Sequence, residues 1–199
     1  MIDMKEVTDL HRHLVVRWHE VPVDNPCEGF LAIVAEQFGF NFQLWHEEDI
    51  ARSPDVGDAK IAEVKRKIDR YNQLRNDRIE KLDDWITERL EALGITPDGG
   101  VPQNTETIGS GIDRLSILAL RIFHLQEQLD RADATEAHRQ SVAKKLAIAA
   151  EQHVDLSRSV QQLVDDTFAG RKRHKTYRAL KMYNDPSLNP YLYQRGAKS

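Results

Sequence analysis

The sequence predicts an all-α fold: an antiparallel helical bundle of four main helices, with a short N-terminal helix pair and a wrapping C-terminal tail. Three observations carry this prediction. Apolar residues recur at about 100° per residue over long stretches, the longest from Asp58 to Leu93. No segment shows strict strand alternation, a hairpin turn signal or an internal repeat. The composition is 40% apolar and 30% charged, with only 10 Gly and 7 Pro in 199 residues, so helix breakers are few. A chain of this size buries about 70% of its unfolded surface as one domain. Residues 1–169 are expected to form the bundle body and 170–199 a basic, Tyr-rich tail.

Residues 3–20 read as an amphipathic helix with Met4, Val7, Leu14 and Trp18 on one face and His11 among them. Val21–Pro22 closes it, because proline disfavours helix in the residue before it. A second helix is expected from Cys27 to Phe38, ended by Gly39 in the left-handed conformation. Asn41 then reads as the N-cap of a separate helix over 41–52, with Phe40 and Trp45 forming a hydrophobic staple. On that helix Phe42, Trp45, His46 and Asp49 share a face, while Glu48 and Arg52 make an exposed i,i+4 pair.

The organising element is the run from Asp58 to Leu93. Ile61, Val64, Ile68, Ile79, Leu82, Ile86, Leu90 and Leu93 form its apolar stripe, and Asn72 and Arg75 occupy the positions that would complete it. Gly94 and the Pro/Gly/Asn-rich stretch after it form a loop. The helix from Thr107 to about Arg131 is apolar on two sides. Leu115, Leu118, Ala119 and Ile122 lie on one and Ile117 and Leu120 on the other, which places it mid-bundle. Asp113 and His124 share the second side. Residues 135–169 form a final long helix with a stripe of Val142, Leu146, Ala149, Leu156, Val160 and Leu163, with His153 in the series. A short basic helix is expected after Gly170, followed by turns at Asn184–Pro186 and Asn189–Pro190.

Charge is unevenly placed. Residues 170–199 hold eight Lys/Arg and one acid, +7, against 20 Lys/Arg and 31 acids, −11, in the rest. Cys27 is the only cysteine, which excludes an internal disulfide and a Cys-based zinc site and points to a reducing cytoplasm. The apolar run Leu115–Leu120 stops at Arg121, far short of a membrane span. The N-terminal MIDMKEVTDLHRH lacks the apolar core of a signal peptide.

Function is sought where polar groups interrupt apolar stripes: His11, His46, Asp49, Asn72, Arg75, Asp113 and His153. Buried polar groups must satisfy one another or a ligand. One reading is a polar pocket between helices, with Arg75 as anion anchor, Asn72 as orienting amide, and His46 with Asp49 as acid/base groups or metal ligands. The other is a structural network that fixes helix register. No Glu-x-x-His pair of the kind that builds bundle di-metal sites occurs on these helices. The acids Glu47–Glu48 and Glu80-x-x-Asp83 loosely echo all-α nucleotide pyrophosphatases that bind magnesium; there the ligands would be Glu48, Asp49, Glu80 and Asp83. Outside these readings no metal or cofactor is expected. The GSG at Gly109–Gly111 lacks the spacing of a phosphate loop. The RKRHK run carries no nucleic-acid-binding fold signature, so a nucleic acid is not the expected partner.

Four blocks bear a family resemblance: NFQLWHEEDIAR, KRKIDRYNQLRNDRIEKLD, ETIGSGIDRLSILALRIFH and KMYNDPSLNPYLY. With these the chain resembles the bacterial family catalogued as domain of unknown function 4254. The resemblance implies a cytoplasmic bacterial protein with no assigned activity, from genes that often lie beside sugar-transferring enzymes of cell-surface glycan assembly. The blocks contain Trp45, His46, Glu48, Asp49, Arg52, Asn72, Arg75, Asp77, Glu80, Glu106, Asp113 and Arg114.

The leading expectation is a helical bundle that binds a small anionic or phosphorylated ligand, sugar-linked or not. Arg75 and Arg114 would hold the anion, Trp45 would stack on a ring, Asn72 and Asp113 would line the pocket, and His46 and Asp49 would move protons. A first alternative is a non-catalytic interaction protein that docks a protein partner through the basic tail. The second is the magnesium-dependent pyrophosphatase-like enzyme. The pattern names neither a reaction nor an oligomeric state.

Overall fold

The structure is a computed structural model, and it describes residues 2–97, 99–178 and 185–193. Among the described residues six helices follow one another: α1 (Met4–Glu20), α2 (Gly29–Arg52), α3 (Asp58–Ala92), α4 (Ile108–Asp130), α5 (Glu136–Phe168) and the single turn α6 (Pro190–Tyr193). Among the described residues there is no strand, only an isolated bridge between Gln103 and Arg173. No helix among them is long and apolar enough to cross a membrane.

Helices α2 and α3 pack along each other, as do α4 and α5. Each pair is joined by a short connection, so each is an antiparallel hairpin. Helix α1 lies across both hairpins, against α2, α4 and α5. Helix α4 touches α1, α2, α3 and α5 and is the centre of the bundle, as its two apolar sides predict. The main core joins Met4, Val7, Ile33, Val34, Leu82, Ile86, Ile112, Leu115 and Val164. A second, aromatic cluster holds Leu14, Trp18, Phe38, Phe42 and Leu120.

Local chemistry sets the helix ends. Asp3 caps α1 by accepting from Lys5 N, Thr107 caps α4 by accepting from Ser110 N, and Thr135 caps α5 by accepting from His138 N. Gly94 and Gly170, at φ 67° and 69°, close α3 and α5 in the left-handed region that glycine adopts without a Cβ penalty.

Three expectations are corrected. Gly39 does not end a helix; α2 runs unbroken from Gly29 to Arg52, and Asn41 is a buried interior residue rather than a cap. The glycine is there for packing, since a Cβ at position 39 would lie 3.1 Å from Val23 Cγ1. Residues 171–178 are not helical but extended along the body. The rest of the expected basic helix, with Tyr183 and Asn184, lies outside the described residues. Leu93, placed on the α3 stripe, is half exposed beyond the helix end.

The described start of the tail docks on the body. His174 Nε2 lies 3.1 Å from the Asp83 carbonyl oxygen, and the Arg173 amide donates to Pro102 O at 3.0 Å. Arg178 bridges Glu80 and Asp84 of α3, while Arg171 pairs with Asp166.

Candidate functional site

Between α2, α3 and α4 lies a groove of about 330 Å³. One face of α2 supplies Asn41, Leu44, Trp45, Glu48, Asp49 and Arg52, which recur every three or four residues and so point the same way. Helix α3 supplies Asn72 and Arg75, and α4 supplies Ile117 and Leu120.

Beneath the groove is a buried polar network centred on Asp113. Its Oδ1 accepts from Gln37 Nε2 at 2.6 Å, Asn41 Nδ2 at 2.9 Å and Arg75 Nε at 2.7 Å. Arg75 Nη2 binds the other oxygen, making the two-pronged pairing that a guanidinium offers a carboxylate. Ser116 Oγ accepts from Asn41 and donates to the Asp113 carbonyl. This network ties three helices together, and its partners on α3 and α4 include two residues chosen from their interruption of apolar stripes. Gln37 and Asn41 escaped that reading, because a break expected at Gly39 turned their side chains the wrong way.

The groove's charges are largely spent. Arg75 is held by Asp113, and Arg52 pairs with Glu48 at 2.9 Å. Asp49 has no partner among the described residues, so the groove and its base carry one net negative charge. The Asn72 carboxamide and the Trp45 indole N–H also make no hydrogen bond to a described residue. Leu44, Ile117 and Leu120 give the groove an apolar lining.

Of the predicted site residues, the structure gathers Trp45, Asp49, Asn72 and Arg75 in the groove, with Asp113 directly behind. It does not bring His46 there. His46 and Asp49 share a helix face yet diverge: Asp49 lines the groove, whereas His46 turns toward α1 and α4, with Nδ1 2.8 Å from Phe42 O. Arg114 is exposed on α4 and lies outside the groove. His11 is fully buried against Phe38 with both ring nitrogens unpartnered, and burial lowers its pKa from 6.5 to about 3.

The four acids suggested for magnesium do not assemble. Glu48 pairs with Arg52, Glu80 with Arg178, and the buried Asp83 accepts from Gly109 N at 2.9 Å. Gly109 and Gly111 serve close packing, not phosphate binding: a Cβ at 109 would sit 2.8 Å from Asp83 Oδ1, and one at 111 would sit 2.6 Å from Val160 Cγ2. The one group of three His, Cys, Asp or Glu side chains able to share an ion among the described residues is His19, His46 and His124. Sequence reasoning missed it because its members come from three helices with no common spacing.

A larger cavity, about 920 Å³, is a trough between α1, α4 and α5 lined by Arg12, His153, Arg158 and Arg171. Its cations are mostly spent on acids of their own surface, Arg12 on Asp9, Arg158 on Asp155 and Arg171 on Asp166. The smaller groove sets polar groups that have no partner among the described residues over a buried network.

A family model described as "Protein of unknown function (DUF4254)" matches residues 31–176. That span holds every groove residue, His46 and His124, and leaves out His19. No curated protein and no solved structure matches the chain.

Proposed function

We propose that this chain, which belongs to the family of proteins of unknown function DUF4254, binds a small hydroxyl-rich ring ligand of the sugar class in the α2–α3–α4 groove. The observation that carries the reading is the set of groups there without a partner among the described residues: the Asp49 carboxylate, the Asn72 carboxamide and the Trp45 N–H, beside a non-polar lining. Sugar hydroxyls donate and accept at once. A carboxylate takes their protons, an amide bonds them both ways, and the C–H faces of the ring pack on apolar surface. Arg75 is pre-positioned by Asp113, so its orientation costs little on binding.

The charge pattern shifts the ligand away from a bare anion. Asp113 and Glu48 neutralise both guanidinium groups of the groove, and Asp49 would repel a phosphate placed beside it. With His46 turned away, the groove holds no acid/base pair, and the reading is binding without an assigned reaction. The tail-docking alternative is weakened as well, because Arg171, Lys172 and Arg178 are occupied by acids of the body.

The test is isothermal titration and thermal shift with neutral monosaccharides, sugar phosphates and inorganic phosphate. Stabilisation by a neutral sugar that disappears in Asn72→Ala and Asp49→Ala, both still folded, supports the reading. Stabilisation by inorganic phosphate alone would restore the anionic ligand, and no stabilisation by any of the three classes overturns groove binding.

A further inference from the structure

Where α1, α2 and α4 meet on the far side of Trp45, three imidazoles face one another. His19 is the penultimate residue of α1, His46 lies in the last third of α2, and His124 lies in the last third of α4. One ring nitrogen from each lies within 4.8 Å of the other two. Ring centroids are 5.3 Å apart for His19–His46, 5.3 Å for His19–His124 and 5.8 Å for His46–His124.

The hydrogen bonds identify which nitrogens remain free to bind an ion. His19 Nδ1 is 2.6 Å from Val15 O, and His46 Nδ1 is 2.8 Å from Phe42 O. A carbonyl oxygen can only accept, so both Nδ1 atoms carry the proton and donate it. His124 Nδ1 is 2.6 Å from a Glu127 carboxylate oxygen and donates likewise. In its neutral form each ring therefore keeps a bare Nε2 lone pair. The Nε2 of His124 is buried and has no hydrogen-bond partner.

Three lone pairs on neighbouring rings cannot satisfy each other. A Lewis acid satisfies all three at once. An Nδ1–H held by a carbonyl or carboxylate is also the outer-shell arrangement that orients metal-bound histidines and raises their basicity. We propose that Nε2 of His19, His46 and His124 bind a divalent transition-metal ion of the zinc class, with Glu127 and the Val15 and Phe42 carbonyls as the outer shell.

Imidazole ligands suit zinc and its neighbours in the first transition row and do not suit hard magnesium. Nitrogens on a tetrahedral zinc are about 3.3 Å apart for Zn–N bonds of about 2.0–2.1 Å, so small ring rotations complete the set. The ring planes are already braced: Phe123 stacks on His19 at 4.3 Å and Trp45 on His124 at 4.8 Å. His19 is exposed, which leaves the fourth position on the solvent side for water or an incoming ligand. None of the three histidines lines the sugar groove, so this site stands independently of that reading.

The test is titration of tag-free, chelator-treated full chain with Zn²⁺ and Co²⁺ in competition with a chromophoric chelator. One ion per chain is expected, with Co²⁺ giving the visible bands of a tetrahedral site and Mg²⁺ failing to compete. Glu127→Gln should weaken zinc binding by roughly 10–100-fold, and His19→Gln by more than that. His13→Gln, exposed and outside the cluster, should change nothing. Because His19 is exposed, its variant keeps the fold even if His124→Ala does not. Failure of the wild type to bind Zn²⁺ would overturn the proposal, as would unchanged affinity in His19→Gln, which would place the ion on other histidines. A nitrogen-15 spectrum gives a second readout: the three Nε2 signals should shift on adding zinc while the Nδ1–H signals persist.

Discussion

The indole of Trp45 lies flat against the imidazole of His124, with ring centroids 4.8 Å apart and planes 12° from parallel. One side chain thus forms both a wall of the groove and the backing of the histidine cluster. Such a pair contributes about 0.5–1.5 kcal/mol beyond the area it buries. Trp45→Ala should abolish sugar binding and weaken zinc binding, whereas Trp45→Phe should keep most of the zinc binding and, lacking the indole N–H, weaken sugar binding. Calorimetric titration of each ligand checks this, and a Trp45→Ala protein that binds zinc as the wild type does would show that the stack braces nothing.

Asp113→Ala should be among the most destabilising single changes. It leaves the Arg75 guanidinium and the Gln37 and Asn41 amides without their shared acceptor. Removing one partner of a buried ion pair costs about 3–5 kcal/mol, and the partial exposure of Arg75 places this case at the low end. The double variant Arg75→Met with Asp113→Leu should recover much of the loss. Urea unfolding at neutral pH measures both, and a single-variant cost below about 1 kcal/mol would make the network ornamental.

His11 makes stability acid-sensitive. Burial lowers its pKa from 6.5 to about 3, and the charge of His153 acts in the same direction. Between those two pH values the unfolded chain binds a proton that the folded chain refuses. Stability is therefore complete above about pH 6.5 and falls by about 1.4 kcal/mol per pH unit on acidification. The lowered pKa values of His124 and His153 add loss in the same window. His11→Leu removes two buried unpartnered nitrogens, so its loss between pH 7.5 and pH 5 should be smaller by roughly 2 kcal/mol. Parallel urea midpoints for the two proteins across that range would contradict this.

Gly111→Ala should cost about 1–3 kcal/mol, because the new methyl would meet Val160 Cγ2 at 2.6 Å across the α4–α5 contact. Pairing it with Val160→Ala should return part of the loss, since neighbours that share a space are not additive. Gly39→Ala meets Val23 at 3.1 Å, on a loop that can give, and should cost less. Thermal midpoints rank the three proteins.

Periodicity alone determined α1, α3, α4 and α5, the central place of α4 and the inward position of Arg75 and Asp113. The reason is that an apolar stripe at 3.6 residues per turn must face a core, and a charge inside the stripe must be carried inward with it. The same logic misread Gly39 and Asn41, because a glycine followed by an asparagine looks alike as a helix stop and as a close-packed crossing. Only the neighbour, Val23 against Gly39 or Asp113 against Asn41, distinguishes the two. His46 and Asp49 shared a wheel face and were separated by what stands on either side of it. His19 interrupts no apolar stripe and is not singled out by the sequence. Helical spacing orders side chains along one axis; whether Nε2 atoms from three axes arrive at one point depends on how the helices cross, and that is settled by the packing of apolar side chains far apart in the chain.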